Sequence, residues 1–188
     1  MVMTTTSSVR VGPHTWDDFV ALDEDDPREL VDGCLLEIDV ATELHEYIVC
    51  FIAAVLFEWA RRHGGRVLGS GYKVRIGERR GVMPDVQFYA KGRPANPPQG
   101  LTRGAPDLGV EVVSPSSRKY DRVTKLAWYA SIGMPEYWIV DSEAKTIERL
   151  VLKDGAYSIV QTASEGTFEP ASFAGVSISI DALFTIPE

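Results

Sequence analysis

Residues 109–117 read GVEVVSPSS. Val110, Val112 and Val113 are β-branched and predict a strand, entered from the turn-forming Ala105-Pro106-Asp107. Glu111 stands inside that run, where an unpaired carboxylate taken out of water is costly. Side chains alternate along a strand, so Glu111 and Val113 share one face of the sheet and Val110 and Val112 share the other. The acid therefore needs either a cation or a solvated rim.

The elements around it follow from period and punctuation. Downstream, Ser116 or Ser117 caps a predicted helix from about Arg118 to Ile132, closed by Gly133 and followed by the strand Glu136–Asp141. Upstream, Leu44, Ile48, Phe51, Val55 and Trp59 recur at helical spacing within Glu43–Arg62, with more apolar residues between them, so this helix is expected to be long and largely buried. Gly64-Gly65 ends it. Between the two helices, Arg66–Leu68, Tyr72–Ile76 and Asp85–Tyr89 alternate as strand, and a Pro/Gly-rich loop spans 92–106. Nearer the N-terminus, Thr15 and Asp18 form a capping box for a short helix through Leu22 that the acidic run 23–27 ends, and Asp32-Gly33 turns a hairpin over 28–38. Asp154-Gly155 turns a second hairpin, and Val176–Ile180 adds a strand before the apolar Ala182-Leu183-Phe184. No internal repeat is present.

The 188 residues, 45% of them hydrophobic, suffice for one domain covering the whole chain, and no apolar run reaches the ~20 residues of a membrane span. MVMTTTSSVR, residues 1–10, has no apolar core of a secretory signal, so a cytoplasmic location is expected. Cys34 and Cys50 have no ligand spacing and read as small core residues. The net charge is −8, but it is unevenly spread. Residues 61–125 hold 14 of the 19 Lys+Arg and 5 of the 27 Asp+Glu, a local surplus of +9, while the flanks carry −17. A basic segment in an acidic chain suits a phosphate backbone, with Arg79, Arg80, Arg118, Lys119 and Arg122 as the contacting residues; ordinary solvated faces are the competing reading.

Several fragments fail as motifs. His45-Glu46 opens an HExxH pattern, but Val49 stands where the second histidine belongs. Gly69-Ser70-Gly71 precedes a strand and reads as a turn. Asp85 is different. It opens a strand after Pro84, and pairing that strand with 109–113 brings it beside Glu111. Two carboxylates, with a main-chain carbonyl such as that of Val112, offer the oxygen ligands preferred by Mg²⁺ or Mn²⁺. Asp121, Lys125 and Tyr129 follow at spacing four on one helix face, which places a cation near the acids; an exposed Asp121–Lys125 pair is the alternative.

Pro84-Asp85, DLGVEVVSPSS over 107–117, Asp121, Lys125, Tyr129, Gly133 and EYWIVD over 136–141 together resemble the Uma family of predicted restriction endonucleases, within the PD-(D/E)XK nuclease superfamily. Glu29–Gly33, His45 and the C-terminal strand resemble its ends, so the likeness spans about 15–185. The resemblance implies an α/β protein of the α+β mixed-sheet kind. Its restriction-endonuclease-like αβββαβ core would occupy about 43–141, with the N-terminal hairpin and C-terminal strands over 146–180 as additions. It implies Asp85 and Glu111 as metal ligands. The superfamily lysine stands two residues after the glutamate, where this chain has Val113; the family supplies it from the following helix, at the position of Lys125. Glu29, Glu37 and His45 would either line the same site or serve hairpin and helix packing. The expected activity is Mg²⁺- or Mn²⁺-dependent endonucleolytic hydrolysis of DNA, with RNA also open, and palindromic cutting would call for a two-fold homodimer. The rival readings are a catalytically silent nucleic-acid-binding or regulatory module on the same fold and a hydrolase of small phosphoesters.

Overall fold

A computed structural model describes residues 12–23, 26–37 and 41–187. Ile38 of the expected hairpin, Glu24 and Asp25 of the acidic run, and the N-terminal stretch 1–10 lie outside the described residues.

The capping box forms as expected. The Thr15 N–H donates to Asp18 Oδ2 and the Asp18 N–H to Thr15 Oγ1, starting helix α1, Trp16–Val20. Strands β1 (Arg28–Val31) and β2 (Cys34–Glu37) form the hairpin, with Asp32 at φ 49° and Gly33 at φ 83°, the paired left-handed conformation of a two-residue turn. Helix α2 runs Glu43–His63 and ends at Gly64, φ 89°. Its buried stripe is Ile48, Ile52, Leu56 and Ala60, one face only. Leu44, Phe51, Val55 and Trp59 flank that stripe and Phe57 is exposed, so the helix is amphipathic and not largely buried. Cys50 lies on its exposed side, which corrects the reading of both cysteines as core residues; Cys34 alone is buried.

The remaining strands are β3 (Arg66–Gly69), β4 (Val74–Gly77), β5 (Arg80–Val82), β6 (Val86–Tyr89), β7 (Leu108–Val113), β8 (Glu136–Asp141), β9 (Thr146–Lys153), β10 (Ala156–Ala163), β11 (Thr167–Phe168) and β12 (Ile178–Ser179). Six of them form a mixed sheet in the order β10-β9-β8-β7-β6-β3, in which only β7 and β8 are parallel neighbours. That parallel pair needs a crossover helix, and residues 120–131 provide it. With α2 leading into β3, this is the αβββαβ core, with one correction. The stretch expected as a strand over Tyr72–Ile76 starts at Val74 and leaves the core: β4 and the unexpected β5 join the hairpin in a second sheet, β2-β1-β5-β4. The expected final strand is shortened to β12, because Ile180 opens a short helix, α4 (Ile180–Leu183).

Both faces of β7 and β8 are covered, and all twelve of their residues are buried. Leu108, Val110, Val112, Trp138 and Val140 pack toward α2 and the C-terminal segment. Val113, Tyr137 and Ile139 pack on the opposite side with Trp128, Tyr129 and Met134. Glu111 enters this second interior, between the crossover helix and the second sheet.

The crossover is not a plain α-helix. Tyr120–Lys125 is a π-helical turn, and α3 proper covers Leu126–Ser131. A wider turn interrupts an α ladder at some cost and is often found at functional sites. It carries both Asp121 and Lys125 into the interior.

Candidate functional site

The antiparallel register of β6 and β7 pairs Val86 with Val110, so one step further Asp85 lies opposite Glu111. The Val112 N–H donates to Asp85 Oδ2 at 2.7 Å, which fastens the aspartate to the strand that bears the glutamate. This contact uses the N–H of Val112 and not its carbonyl. Asp85 Oδ1 faces His45 Nε2 at 3.5 Å, and both side chains remain partly open, 17% and 22% exposed. His45 sits in the first turn of α2, where the Thr42 hydroxyl accepts from its N–H. Burial disfavours its imidazolium, but Asp85, with Glu46 and Asp121 further off, outweighs this and raises its pKa.

Deeper in, Lys125 Nζ stands 3.1 Å from Glu111 Oε1, 3.2 Å from Glu29 Oε1 and 3.4 Å from Asp121 Oδ1. The Tyr129 hydroxyl donates to Glu111 Oε1 at 2.5 Å, and the Tyr120 hydroxyl donates to Glu29 Oε2 at 2.9 Å. All four charged residues of this inner cluster are buried. Glu29, Glu111, Asp121, Lys125 and Tyr129 converge as expected, although Glu29 comes from the second sheet. Glu37 does not join them: it is exposed on β2 opposite Arg28. Two further residues of the cluster, Tyr120 and Tyr137, escape a reading of the sequence; the Tyr137 hydroxyl donates to the Asp121 carbonyl at 3.3 Å. The only signal for either is an aromatic residue next to a predicted site element.

One ammonium faces three buried carboxylates, with Asp85 a fourth nearby. Burial disfavours the lysine's charge, yet Glu111, Glu29 and Asp121 raise its pKa well above the ordinary value. For Glu111, burial comes first and Asp85, Asp121 and Glu29 add to it, so its pKa is raised well above the ordinary value although Lys125 opposes this. The two directions agree. The ammonium form of Lys125 is favoured, while the ionised form of Glu111 is disfavoured because the cluster is short of positive charge.

A cation could meet that deficit. Among the described residues no three or more His, Cys, Asp or Glu are arranged as an all-protein metal cage. Mg²⁺ seldom requires one, since it keeps several waters and takes one or two carboxylates. Glu111 receives both of its contacts on Oε1, and among the described residues no hydrogen bond reaches Oε2. With Asp85 on the adjacent strand, this donor set fits a hard, oxygen-seeking divalent ion.

The basic segment is largely engaged within the protein. Arg118 pairs with Asp141 (3.0 Å) and Glu143 (2.9 Å), and Arg122 pairs with Glu148 (2.5 Å) and Asp141 (3.5 Å). Arg80 pairs with Asp32 at 2.5 Å and lies over the Trp128 ring, while Arg79 donates to the Gly12 carbonyl. Lys73 is buried and donates to the Phe19 carbonyl at 2.9 Å, binding the end of α1 to β4. Lys119 is exposed, one residue before the π-turn.

Asp141 is the anchor of the paired arginines and accepts from the Ala144 N–H at 3.0 Å. Burial works against its charge, but the Ala144 N–H and Arg118 prevail and its pKa is lowered. A carboxyl with a lowered folded pKa contributes stability that is present above its unfolded value, and that contribution is lost as pH falls through the folded value. Asp141→Ala is expected to cost about 1–3 kcal/mol in urea unfolding at neutral pH, with the deficit shrinking below about pH 4. Glu143 and Glu148 keep the arginines partly paired, which limits the loss.

No helix among the described residues is long and apolar enough to cross a membrane. No curated protein matches the chain. Among solved structures it resembles a protein from Anabaena variabilis ATCC 29413, titled a "putative nuclease belonging to DUF820". The TM-score is 0.74 at 20% identity, over 92% of this chain and 98% of that one, which establishes a shared restriction-endonuclease-like fold. The model of the Uma2 family, described as "Putative restriction endonuclease", matches residues 16–181, nearly the whole chain. On that match, over the residues that carry both the hairpin acid and the π-helical lysine, the chain belongs to the Uma2 family.

Proposed function

We propose that the protein is a divalent-metal-dependent endonuclease acting on DNA. The observation that carries the reading is the junction of β6 and β7, where Asp85 and Glu111 lie side by side with the Lys125 ammonium 3.1 Å from Glu111. Asp85 and Glu111 would hold Mg²⁺ or Mn²⁺. When bound, the ion supplies Lewis acidity toward the phosphoryl oxygens and eases ionisation of a water molecule. The chain's own residues do the rest. The Val112 N–H fixes Asp85, the Tyr129 hydroxyl fixes Glu111, and Lys125 presents positive charge where the phosphorane-like transition state accumulates negative charge. The partly open His45 and Asp85 mark the side from which a phosphate backbone would approach.

The test is incubation of the purified protein with plasmid DNA and Mg²⁺ or Mn²⁺ beside the Asp85→Ala variant. Cleavage by the wild type alone supports the reading; equal cleavage by both, or none by either, removes it.

DNA affinity is expected to fall as salt rises, through release of condensed counterions. Lys119, exposed one residue before the π-turn, is the cation we assign to a phosphate contact. Lys119→Ala should reduce the slope of log K against log salt by about one, measured by fluorescence anisotropy at several salt concentrations. An unchanged slope would place the phosphate contacts elsewhere.

A further inference from the structure

We propose that Glu29, brought in from the second sheet by β1, is a positioning residue for Lys125, holding the ammonium when Glu111 engages a divalent cation. The inference rests on the metal-dependent reading above and assigns a role to a residue outside the αβββαβ core.

Glu29 is 1% exposed, and both of its oxygens are committed. Oε1 accepts from the Met83 N–H at 2.8 Å and faces Lys125 Nζ at 3.2 Å, while Oε2 accepts from the Tyr120 hydroxyl at 2.9 Å. The carboxylate therefore cannot turn without breaking its bonds to two elements. Met83 is two residues before Asp85, so the same group ties the hairpin to the strand that bears the outer acid. If the purpose were only to join the two sheets, an apolar side chain would do so at lower cost.

Lys125 needs such an anchor. In the metal-free protein it shares Glu111 Oε1 with Tyr129. A divalent ion on Glu111 would repel the ammonium, and of its two other carboxylates Asp121 is the more distant, at 3.4 Å. Glu29 keeps Nζ beside the metal site without drawing on Glu111. If Glu29 loses its charge, Lys125 is left with the more distant Asp121 and with Glu111, for which it then competes with the ion.

The test is a double-mutant cycle on the full chain, with Glu29→Gln, Lys125→Met and the double variant, reading Mn²⁺ binding by calorimetry without DNA. Glu29→Gln should weaken Mn²⁺ binding about 10-fold, as loss of an outer-shell partner commonly does, and should have little effect in the Lys125→Met background. An equal loss in both backgrounds would mean that Glu29 acts as a bare charge on the ion, and no loss in either would make it purely structural; each outcome overturns the proposal, as does failure of the wild type to bind Mn²⁺. Should Lys125→Met not fold without metal, Tyr120→Phe replaces it. That variant leaves the charge of Glu29 in place but frees Oε2, so a few-fold weaker Mn²⁺ binding supports positioning and unchanged binding refutes it. Single-turnover cleavage by Glu29→Gln should fall about 10-fold or more with DNA affinity unchanged. If the wild type binds Mn²⁺ but cuts no DNA, the nuclease reading fails while the binding cycle still decides the role of Glu29.

Discussion

Asp85→Ala should reduce metal-dependent DNA cleavage by about a thousand-fold or more, because removal of a ligand takes away several kcal/mol of Lewis-acid stabilisation and each ~1.4 kcal/mol is a factor of ten. The measurement is single-turnover cleavage at saturating Mg²⁺. The fold should survive: Asp85 is partly open, and within the protein the substitution deletes one accepted hydrogen bond, from the Val112 N–H, together with the longer approach of His45. That costs about 1 kcal/mol, offset in part by relief of repulsion toward Glu111. The metal-free variant should therefore melt close to the wild type, while its response to Mn²⁺ disappears. Cleavage at the wild-type rate would show that the ion, if used, is held elsewhere.

The second large effect belongs to Lys125. Lys125→Met removes the ammonium from among Glu29, Glu111 and Asp121, all within 3.4 Å and all buried. Breaking a buried ion cluster by deleting one partner leaves uncompensated charge, and a loss of about 3–5 kcal/mol is expected in metal-free urea unfolding at neutral pH. The sign of the pH dependence follows from Glu111. Its folded pKa is raised, and loss of Lys125 raises it further. The folded state then binds more protons than the unfolded state, so the penalty is full above the folded pKa and disappears as pH falls toward the unfolded value of about 4.3. The variant should recover stability on mild acidification or on addition of Mn²⁺, and its single-turnover cleavage should fall far more than its DNA affinity. A variant as stable as the wild type at neutral pH would mean that the carboxylates do not share the lysine's charge.

The site explains why the lysine is on the helix. The position two residues after Glu111 is Val113, 1% exposed and packed with Trp128, Tyr129, Tyr137 and Ile139. An ammonium there would be buried among apolar groups. The π-turn solves the problem from the other side, since it brings Lys125 over the same sheet face as Glu111 while Tyr129, four residues on, reaches the same carboxylate oxygen.

Much of this was legible in local pattern. Alternation put Glu111 and Val113 on one face, the spacing of four gathered Asp121, Lys125 and Tyr129, and Gly33, Gly64 and Gly133 marked turns that the backbone takes at positive φ. These features depend on period and on steric freedom within a few residues, which a sequence carries directly. Long-range partnership is different. That β4 and β5 leave the core sheet for the hairpin, that Glu29 arrives from that hairpin, and that most of the +9 segment is tied down by Asp32, Asp141, Glu143, Glu148 and main-chain carbonyls all depend on which surfaces meet. A charge count assigns no partners, and a helical period does not distinguish an α turn from a π turn. Local pattern, read together with the family resemblance, was enough to outline the αβββαβ core and to name Asp85, Glu111 and Lys125 as candidates. Tertiary packing alone decided that three carboxylates share one buried ammonium, because only burial of two sheets against one helix removes the water that would otherwise have kept those charges apart.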